Sequence, residues 1–346
     1  QEAVVSRIKV LSDMKIDEKR IPQDGRFNFK VDKEEVDLRV SSLPTVHGEK
    51  IVMRLLKKSG GVPTLQELGI RGTALKNLEA ASIVPHGIVL VTGPTGSGKT
   101  TTLYSLLTKI NSPKVNIVTL EDPVEYQMAG INQVQINPQA GLTFASGLRA
   151  FLRQDPNIIM VGEIRDQETA ELAIQAALTG HVVFSTLHTN SAAGALPRLL
   201  DMKAEPFLLV SSMTLVMAQR VVRKICLDCK EEYEPEQVVI DDMKNVLGGL
   251  FDGWAKQNSA EGGNIKLHRG KGCDECGGTG YKGRIGVYEV LVMNEKIGRL
   301  ILERRPAEDI EKQSTEDGMV LMKQDGYLKV LEGITTIEEV LRVVSE

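Results

Sequence analysis

Gly93, Pro94, Thr95, Gly96, Ser97, Gly98, Lys99, Thr100 and Thr101 run between an apolar segment, IVLVT at 88–92, and the helix-like TTLYSLLTKI at 101–110. The order Gly93-x-x-x-x-Gly98-Lys99-Thr100 matches the phosphate-binding P-loop and sits where that loop works, after a strand and before a helix. Small residues let successive backbone N–H groups point inward. The start of the following helix adds a partial positive charge, so the site suits a polyphosphate such as ATP. Lys99 would reach the β- and γ-phosphates, and the Thr100 hydroxyl would ligate Mg²⁺. A glycine-rich turn that matches by accident is the competing explanation, and the strand and helix flanks argue against it.

Nucleotide binding alone is not hydrolysis, which needs carboxylates at the same edge. Two segments supply them, TLEDPVE at 119–125 and MVGEIRD at 160–166. In the second, Glu163 stands after Gly162 where many P-loop enzymes have aspartate. This favours a glutamate that positions the attacking water, or holds the metal through water. Glu121 and Asp122 could share the task, with Asp122 near the magnesium. The alternative is that these strand-end acids merely cap the next helix. His181 and His188 bracket VVFST at 182–186, seven residues apart, so on a regular strand they project to opposite faces and do not bind one metal together. Spacing alone leaves His188 as either a phosphate sensor or a hydrogen-bonded core histidine.

Four cysteines remain. Cys226-Leu-Asp-Cys229 and Cys273-Asp-Glu-Cys276 are two C-x-x-C knuckles, each giving two thiolates at one corner of a closed tetrahedral zinc site. The stretch between them exceeds the common spacing of roughly 15–20 residues, leaving room for an inserted helix and a mobile, glycine-bearing loop at 248–263. An all-cysteine set predicts a structural zinc. A zinc ribbon for nucleic acid fits poorly, because acidic residues lie inside both knuckles.

These groups need elements to carry them. The 346 residues suggest about two domains. Apolar runs at 88–92, 115–120, 157–161 and 182–186, spaced by helical patterns, indicate a parallel sheet covered on both faces. ETAELAIQAALTG at 168–180 reads as a helix stopped at Gly180, and TTIEEVLRVV at 335–344 as a terminal helix opened by a Thr336/Glu339 capping box. Residues 1–56 alternate charge with FNFKV, VDLRV and KIVMRLL, the pattern of a small antiparallel unit. KKSGGVP at 57–63 reads as a linker.

Composition sets limits. Hydrophobic residues make up 42%, enough for a sizeable core, and aromatics only 4%. With a net charge of -4, this argues against a surface for nucleic acid. No apolar window approaches about 18 residues, and the charged amino end is unlike a signal peptide, so the sequence predicts a soluble, intracellular chain.

GPTGSGKTTTLY, TLEDPVEY, LRAFLRQDPNIIMVGEIRD and ALTGHVVFSTLHTN, in this order, resemble the Walker A, Asp box, Walker B and His box of the secretion ATPases of type II secretion, type IV pilus and competence-pilus machines. EKRIPQDGR at 18–26, MAQRVVR at 217–223 and the paired cysteines extend the resemblance over nearly the whole chain. It implies an α/β chain with a RecA-like P-loop core and mostly parallel sheet, preceded by a partial PAS-like α+β domain at 1–56 and a linker at 57–65. The ATPase domain at 66–346 would include a tetracysteine zinc module at 226–284 and a C-terminal helical part at 285–346.

The resemblance also implies a homohexamer hydrolysing ATP with Mg²⁺, cytoplasmic and peripheral at the inner membrane through a platform protein. It brings His188 near the nucleotide and makes Arg39 and Arg54 arginine fingers on the γ-phosphate, where the residues alone read as solvated strand charges. Arg20 and Arg26 would lie near the base or ribose. The tetracysteine module points to pilus assembly or secretion, because retraction ATPases lack it. Among these, pilus extension is the first expectation, with type II secretion or a competence pseudopilus as the alternative. A nucleic-acid translocase, an ATP-binding scaffold without turnover and a small-molecule kinase are the remaining rivals. Family members carry further sequence ahead of RIKVLSDMKIDEKR, so docking by those regions is not legible in this chain.

Overall fold

The computed structural model describes residues 1–31, 34–57, 61–257 and 265–344. The chain divides into two units, Gln1–Pro63 and Thr64–Glu346. Residues 58–60 of the expected linker, and 258–263 of the expected glycine-bearing loop, lie outside the described residues.

The first unit is helix α1 (Glu2–Leu11) and an antiparallel sheet of β1 (Gln23–Val31), β2 (Glu34–Thr45) and β3 (Gly48–Lys57) in chain order. Strand alternation puts Val36, Leu38 and Val40 on a buried face with Met14, against which Ile8, Phe27 and Ile51 pack. Lys9 is buried on α1. Its ammonium is kept inside only because it pairs with the Glu49 carboxylate and donates to the Glu18 carbonyl at 2.8 Å, which ties the helix to β3 and to the following loop.

The second unit opens with α2 (Gly72–Ser82) and continues β4 (Gly87–Thr92), α3 (Lys99–Ile110), β5 (Ile117–Glu121), β6 (Asn132–Gln135), α4 (Phe144–Phe151), β7 (Ile158–Val161), α5 (Gln167–Leu178), β8 (Val182–Leu187), α6 (Ala192–Asp201), α7 (Pro206–Ser212) and β9 (Met213–Ile225). The cysteine-bearing segment holds β10 (Lys230–Tyr233), α8 (Gln237–Leu247), α9 (Gly249–Gln257) and β11 (Leu267–Gly270). After it come β12 (Tyr281–Val292), α10 (Glu295–Leu302), α11 (Ala307–Glu316), α12 (Met322–Leu331) and α13 (Ile337–Val344). Seven strands form the central sheet in the order β12-β9-β4-β8-β7-β5-β6. Every neighbouring pair is parallel except β12 with β9.

The four apolar runs are therefore β4, β5, β7 and β8, and each is wholly buried. Being parallel, all four end at one edge. Gly93, Glu121, Glu163 and His188 each fall at or just after such an end, the usual place for a ligand in an α/β sheet.

Three strands of the central sheet, β6, β9 and β12, and both strands of the cysteine-bearing segment, β10 and β11, have no counterpart in the sequence reading. Residues 285–292, assigned there to the helical part, belong to β12, and the helices begin at α10. Residues 249–257, expected in a mobile loop, form α9. The capping box is half formed. Thr336 accepts the N–H of Glu339 at 3.4 Å, but the Glu339 carboxylate turns away to Arg223 and Arg342.

Candidate functional site

The loop 93–98 is built by its glycines and by β9. Gly93 has φ +147, and a Cβ there would lie 2.5 Å from the Gln219 carbonyl and 2.7 Å from the Ser97 hydroxyl, so only glycine fits. Gly96, at φ +82, faces open space. The Gln219 side chain, 1% exposed, holds the loop from beneath. Its Nε2 donates to the Ser97 carbonyl at 2.6 Å, and its Oε1 accepts from the Thr102 hydroxyl at 2.9 Å. The Gly93 N–H donates to the Leu187 carbonyl at 3.3 Å, joining the loop to β8.

Lys99 is the first residue of α3, and its ammonium donates to the carbonyls of Gly93 at 2.8 Å and Pro94 at 3.1 Å. Burial lowers its pKa, and the Glu163 charge pulls it back up. Thr100 and Thr101 complete the first turn, half-buried beside it.

Glu163 is held by the backbone around it. Gly162 donates to the Leu120 carbonyl at 2.8 Å, the Thr186 hydroxyl donates to the Gly162 carbonyl at 2.7 Å, and Ile164 donates to the Thr186 carbonyl at 3.0 Å. The carboxylate is 15% exposed, 2.5 Å from the Arg165 guanidinium and 3.7 Å from Nε2 of His188. It does not cap α5. Asp166 does, accepting from the Thr169 N–H at 2.8 Å. Burial lowers the His188 pKa, and Lys99 adds to that, while Glu163 acts in the opposite sense. His188 thus stands in the same charge cluster as Lys99 and Glu163, whereas His181 bonds the Ala176 carbonyl at 2.8 Å.

Glu121 is buried, and both its oxygens are occupied. Tyr104 donates to Oε2, and Thr119 at 2.5 Å and Gln133 at 3.2 Å donate to Oε1. Burial and the Glu121 contact push the Tyr104 hydroxyl well above the usual tyrosine range. Asp122 is exposed, and its charge acts on Arg165.

Arg39 and Arg54 lie in the first unit. The register sets Arg26 opposite Arg39 and Arg39 opposite Arg54, so three arginines form one row across the sheet, on the face away from Leu38 and Val40. Arg26, expected apart from the other two, shares their row, and Arg20 lies before β1 in an exposed loop.

The four cysteine sulfurs lie within 4.8 Å of one another. The separations Cys226–Cys273 and Cys229–Cys276 are 3.9 Å and Cys273–Cys276 is 3.7 Å. These match the roughly 3.8 Å edge of a tetrahedron with Zn–S bonds of about 2.3 Å, and they are far too long for disulfides. The N–H groups of Cys273 and Gly280 each donate to Cys276 Sγ at 3.2 Å and help to hold that thiol at about 6. Donor type, spacing and these backbone donors all fit zinc.

Gln219, Thr92 and Arg220 are site residues that sequence reading missed. Thr92 ends β4, and its hydroxyl accepts the Thr189 N–H at 2.9 Å. Arg220 donates to Asn190 Oδ1 at 3.1 Å. The polar pair Gln219-Arg220 inside the apolar run of MAQRVVR was the available signal.

A P-loop between a central parallel strand and its helix, with an acid closing a neighbouring strand, defines the class: a P-loop α/β protein carrying a tetracysteine cluster. The chain belongs to the type II/IV secretion system protein family, whose model matches residues 1–342. It is 49% identical over 98% of its length to the type IV pilus assembly ATPase PilB of Thermus thermophilus, and 51% identical over 99% to the type II secretion system protein E of Pseudomonas aeruginosa. It spans 37% of the first relative and 65% of the second. Among solved structures, the pilus retraction motor PilT with bound ADP superposes with a TM-score of 0.66 at 28% identity, covering 94% of this chain and 78% of that one.

Proposed function

We propose that this chain is the motor part of an ATPase that drives type IV pilus assembly at the inner membrane, working as a homohexamer against a platform protein. In this reading the second unit is a RecA-like core and the first a partial PAS-like domain. The observation that carries the reading is the convergence of Lys99, Glu163 and His188 at the edge where the glycine loop meets the ends of β7 and β8. PilT, whose solved structure carries ADP, supports nucleotide as the ligand.

In the mechanism, loop 93–98 cradles the phosphates and Lys99 exchanges its loop carbonyls for phosphate oxygens. Thr100 and Asp122 would hold Mg²⁺, which supplies charge neutralisation on the phosphates. Glu163 orients the attacking water and takes its proton, and Arg165, ion-paired to that carboxylate, holds it in place. His188 senses the γ-phosphate beside Glu163. Glu121, with both oxygens engaged, positions the end of β5 and is not in direct contact with substrate. Arg39 and Arg54, set opposite one another in the first unit, act as arginine fingers on the γ-phosphate. Cys226, Cys229, Cys273 and Cys276 would hold a structural zinc.

A second reading, type II secretion, is favoured by the equal likeness to protein E. The common test is specific ATPase rate against protein concentration with Mg²⁺, for this chain and for Arg54→Ala. We expect the rate to climb with concentration and the variant to lose that rise. A flat profile indifferent to Arg54 overturns the ring mechanism, and stimulation by DNA or RNA would favour a translocase.

A further inference from the structure

Glu289 is buried on β12, opposite Ala218 of β9, and the mechanism above leaves it without a task. Its two oxygens serve two different helices. Oε1 accepts the N–H of Ala192, the first residue of α6, at 2.7 Å, and Oε2 accepts the N–H of Met322, the first residue of α12, at 3.1 Å. First-turn N–H groups have no partner within their own helix and carry the positive end of its dipole. One carboxylate therefore terminates both helices, and these two donors offset part of the cost of burying it.

The placement of α6 gives this bridge its consequence. The helix starts directly after His188, Thr189, Asn190 and Ser191. Thr189 is fastened to Thr92 at the root of the phosphate loop, Asn190 to Arg220, and Ser191 caps α6 through the Gly194 N–H at 3.1 Å. On the other side, α12 is locked to β12. Asp325 accepts the Tyr288 N–H at 2.9 Å, and the Lys329 ammonium donates to the Gly286 carbonyl at 2.8 Å.

We propose that Glu289 is a positioning residue that sets the His188 loop by capping α6 and ties that loop to α12, so that the phosphate edge and the C-terminal helices are held by one carboxylate. Its kinetic part rests on the ATPase reading.

The test is Glu289→Gln, which keeps the shape but leaves one acceptor oxygen and turns N–H groups toward a helix that offers only donors. We expect kcat to fall about tenfold while KM for MgATP stays within about twofold, since the phosphate loop itself is untouched. Combined with His188→Ala, the double variant should be no slower than the slower single one, as residues acting through one loop are not additive. Additive losses, or a KM that rises with unchanged kcat, overturn the positioning role. Amide exchange separates this from the ATPase reading, because it needs no turnover: Glu289→Gln should raise exchange at both 190–195 and 321–325. If the wild type is inactive at every concentration, the ATPase reading fails and exchange alone decides the tie. A rise at one site only, or at neither, ends it. Should Glu289→Gln not fold, Met322→Pro removes the α12 donor at a helix position that tolerates proline, following Leu321 at ψ 155. Exchange at 190–195 must then rise, and its absence refutes the proposal.

Discussion

Gln219→Met is the perturbation that most directly tests how the phosphate loop is held. Methionine preserves the length and most of the volume of the side chain, so little cavity forms, but both hydrogen bonds are lost. The Ser97 carbonyl, reached at 2.6 Å, and the Thr102 hydroxyl, at 2.9 Å, lose a buried partner. Each such group costs about 1–3 kcal/mol. Thr102 can recover part of this by turning its hydroxyl to the carbonyl one helical turn back, so the sum falls at about 2–4 kcal/mol. For a unit of this size that corresponds to roughly 4–10 °C in melting temperature. The Ser97 carbonyl lies within the loop, so ADP affinity should weaken as well, by about tenfold if 1.4 kcal/mol of the loss falls on the binding conformation.

Thermal unfolding followed by circular dichroism, with a fluorescent ADP titration beside it, measures both effects. Thr102→Val supplies the control. Alone it strands Gln219 Oε1, but with Gln219→Met already present nothing further is stranded, so the two changes should be less than additive by about 1 kcal/mol. Strict additivity, or a Gln219→Met protein melting within about 1 °C of the wild type with unchanged ADP affinity, refutes the argument that β9 holds the loop.

Glu163→Gln should retain ATP binding while turnover falls at least about a hundredfold, the order for losing a positioned acid–base group, and near-normal turnover removes Glu163 from the mechanism. In the same variant the His188 titration, followed by NMR, should move further below its ordinary 6.5, because Glu163 is the charge that raises it against burial and Lys99; an upward move refutes that electrostatic assignment. Elemental analysis should find one zinc for each cluster of four cysteines, and Cys273→Ser should fold poorly; zinc-free protein of unchanged stability ends the structural-site claim. Burial pushes the Glu339 carboxyl up, but Arg342 and Arg223 outweigh it and hold it at about 2, so its stabilising contribution is full above the ordinary 4.5 and lost as pH falls from there toward 2. Glu339→Gln should therefore melt lower than the wild type at pH 7, with the gap closing through that window, and a constant gap refutes the network.

The sequence was most informative where pattern and chemistry coincide. The apolar runs that became β4, β5, β7 and β8 are continuous because both sheet faces are covered. Their common direction then brought Lys99, Glu163 and His188 to one edge, without any of the three being close in the chain. Strand β9 escaped for the converse reason: Gln219 and Arg220 interrupt its apolar run, and both are buried for their bonds to Ser97 and Asn190. Those bonds span long sequence separations that no local window contains. Strand β6, NQVQ, is short and polar, with its ends exposed, and offers no periodicity to read. The cysteine spacing was legible because metal geometry is local to each knuckle, but the same spacing carries no information about α9 in the segment between.

The arginine row shows how a single turn can hold information that residue types do not. Strand alternation says that Arg39 and Arg54 each face away from the buried residues, but not that they meet. The pairing of Thr45 with Gly48 decides it: once the chain reverses through Val46 and His47, with Gly48 at φ +108, every later pair follows and Arg39 must stand opposite Arg54. Moving the two-residue turn one position earlier would set Arg39 opposite Val52 in place of Arg54 and dissolve the row. In the proposed mechanism, that register is what would let Arg39 and Arg54 act together as arginine fingers.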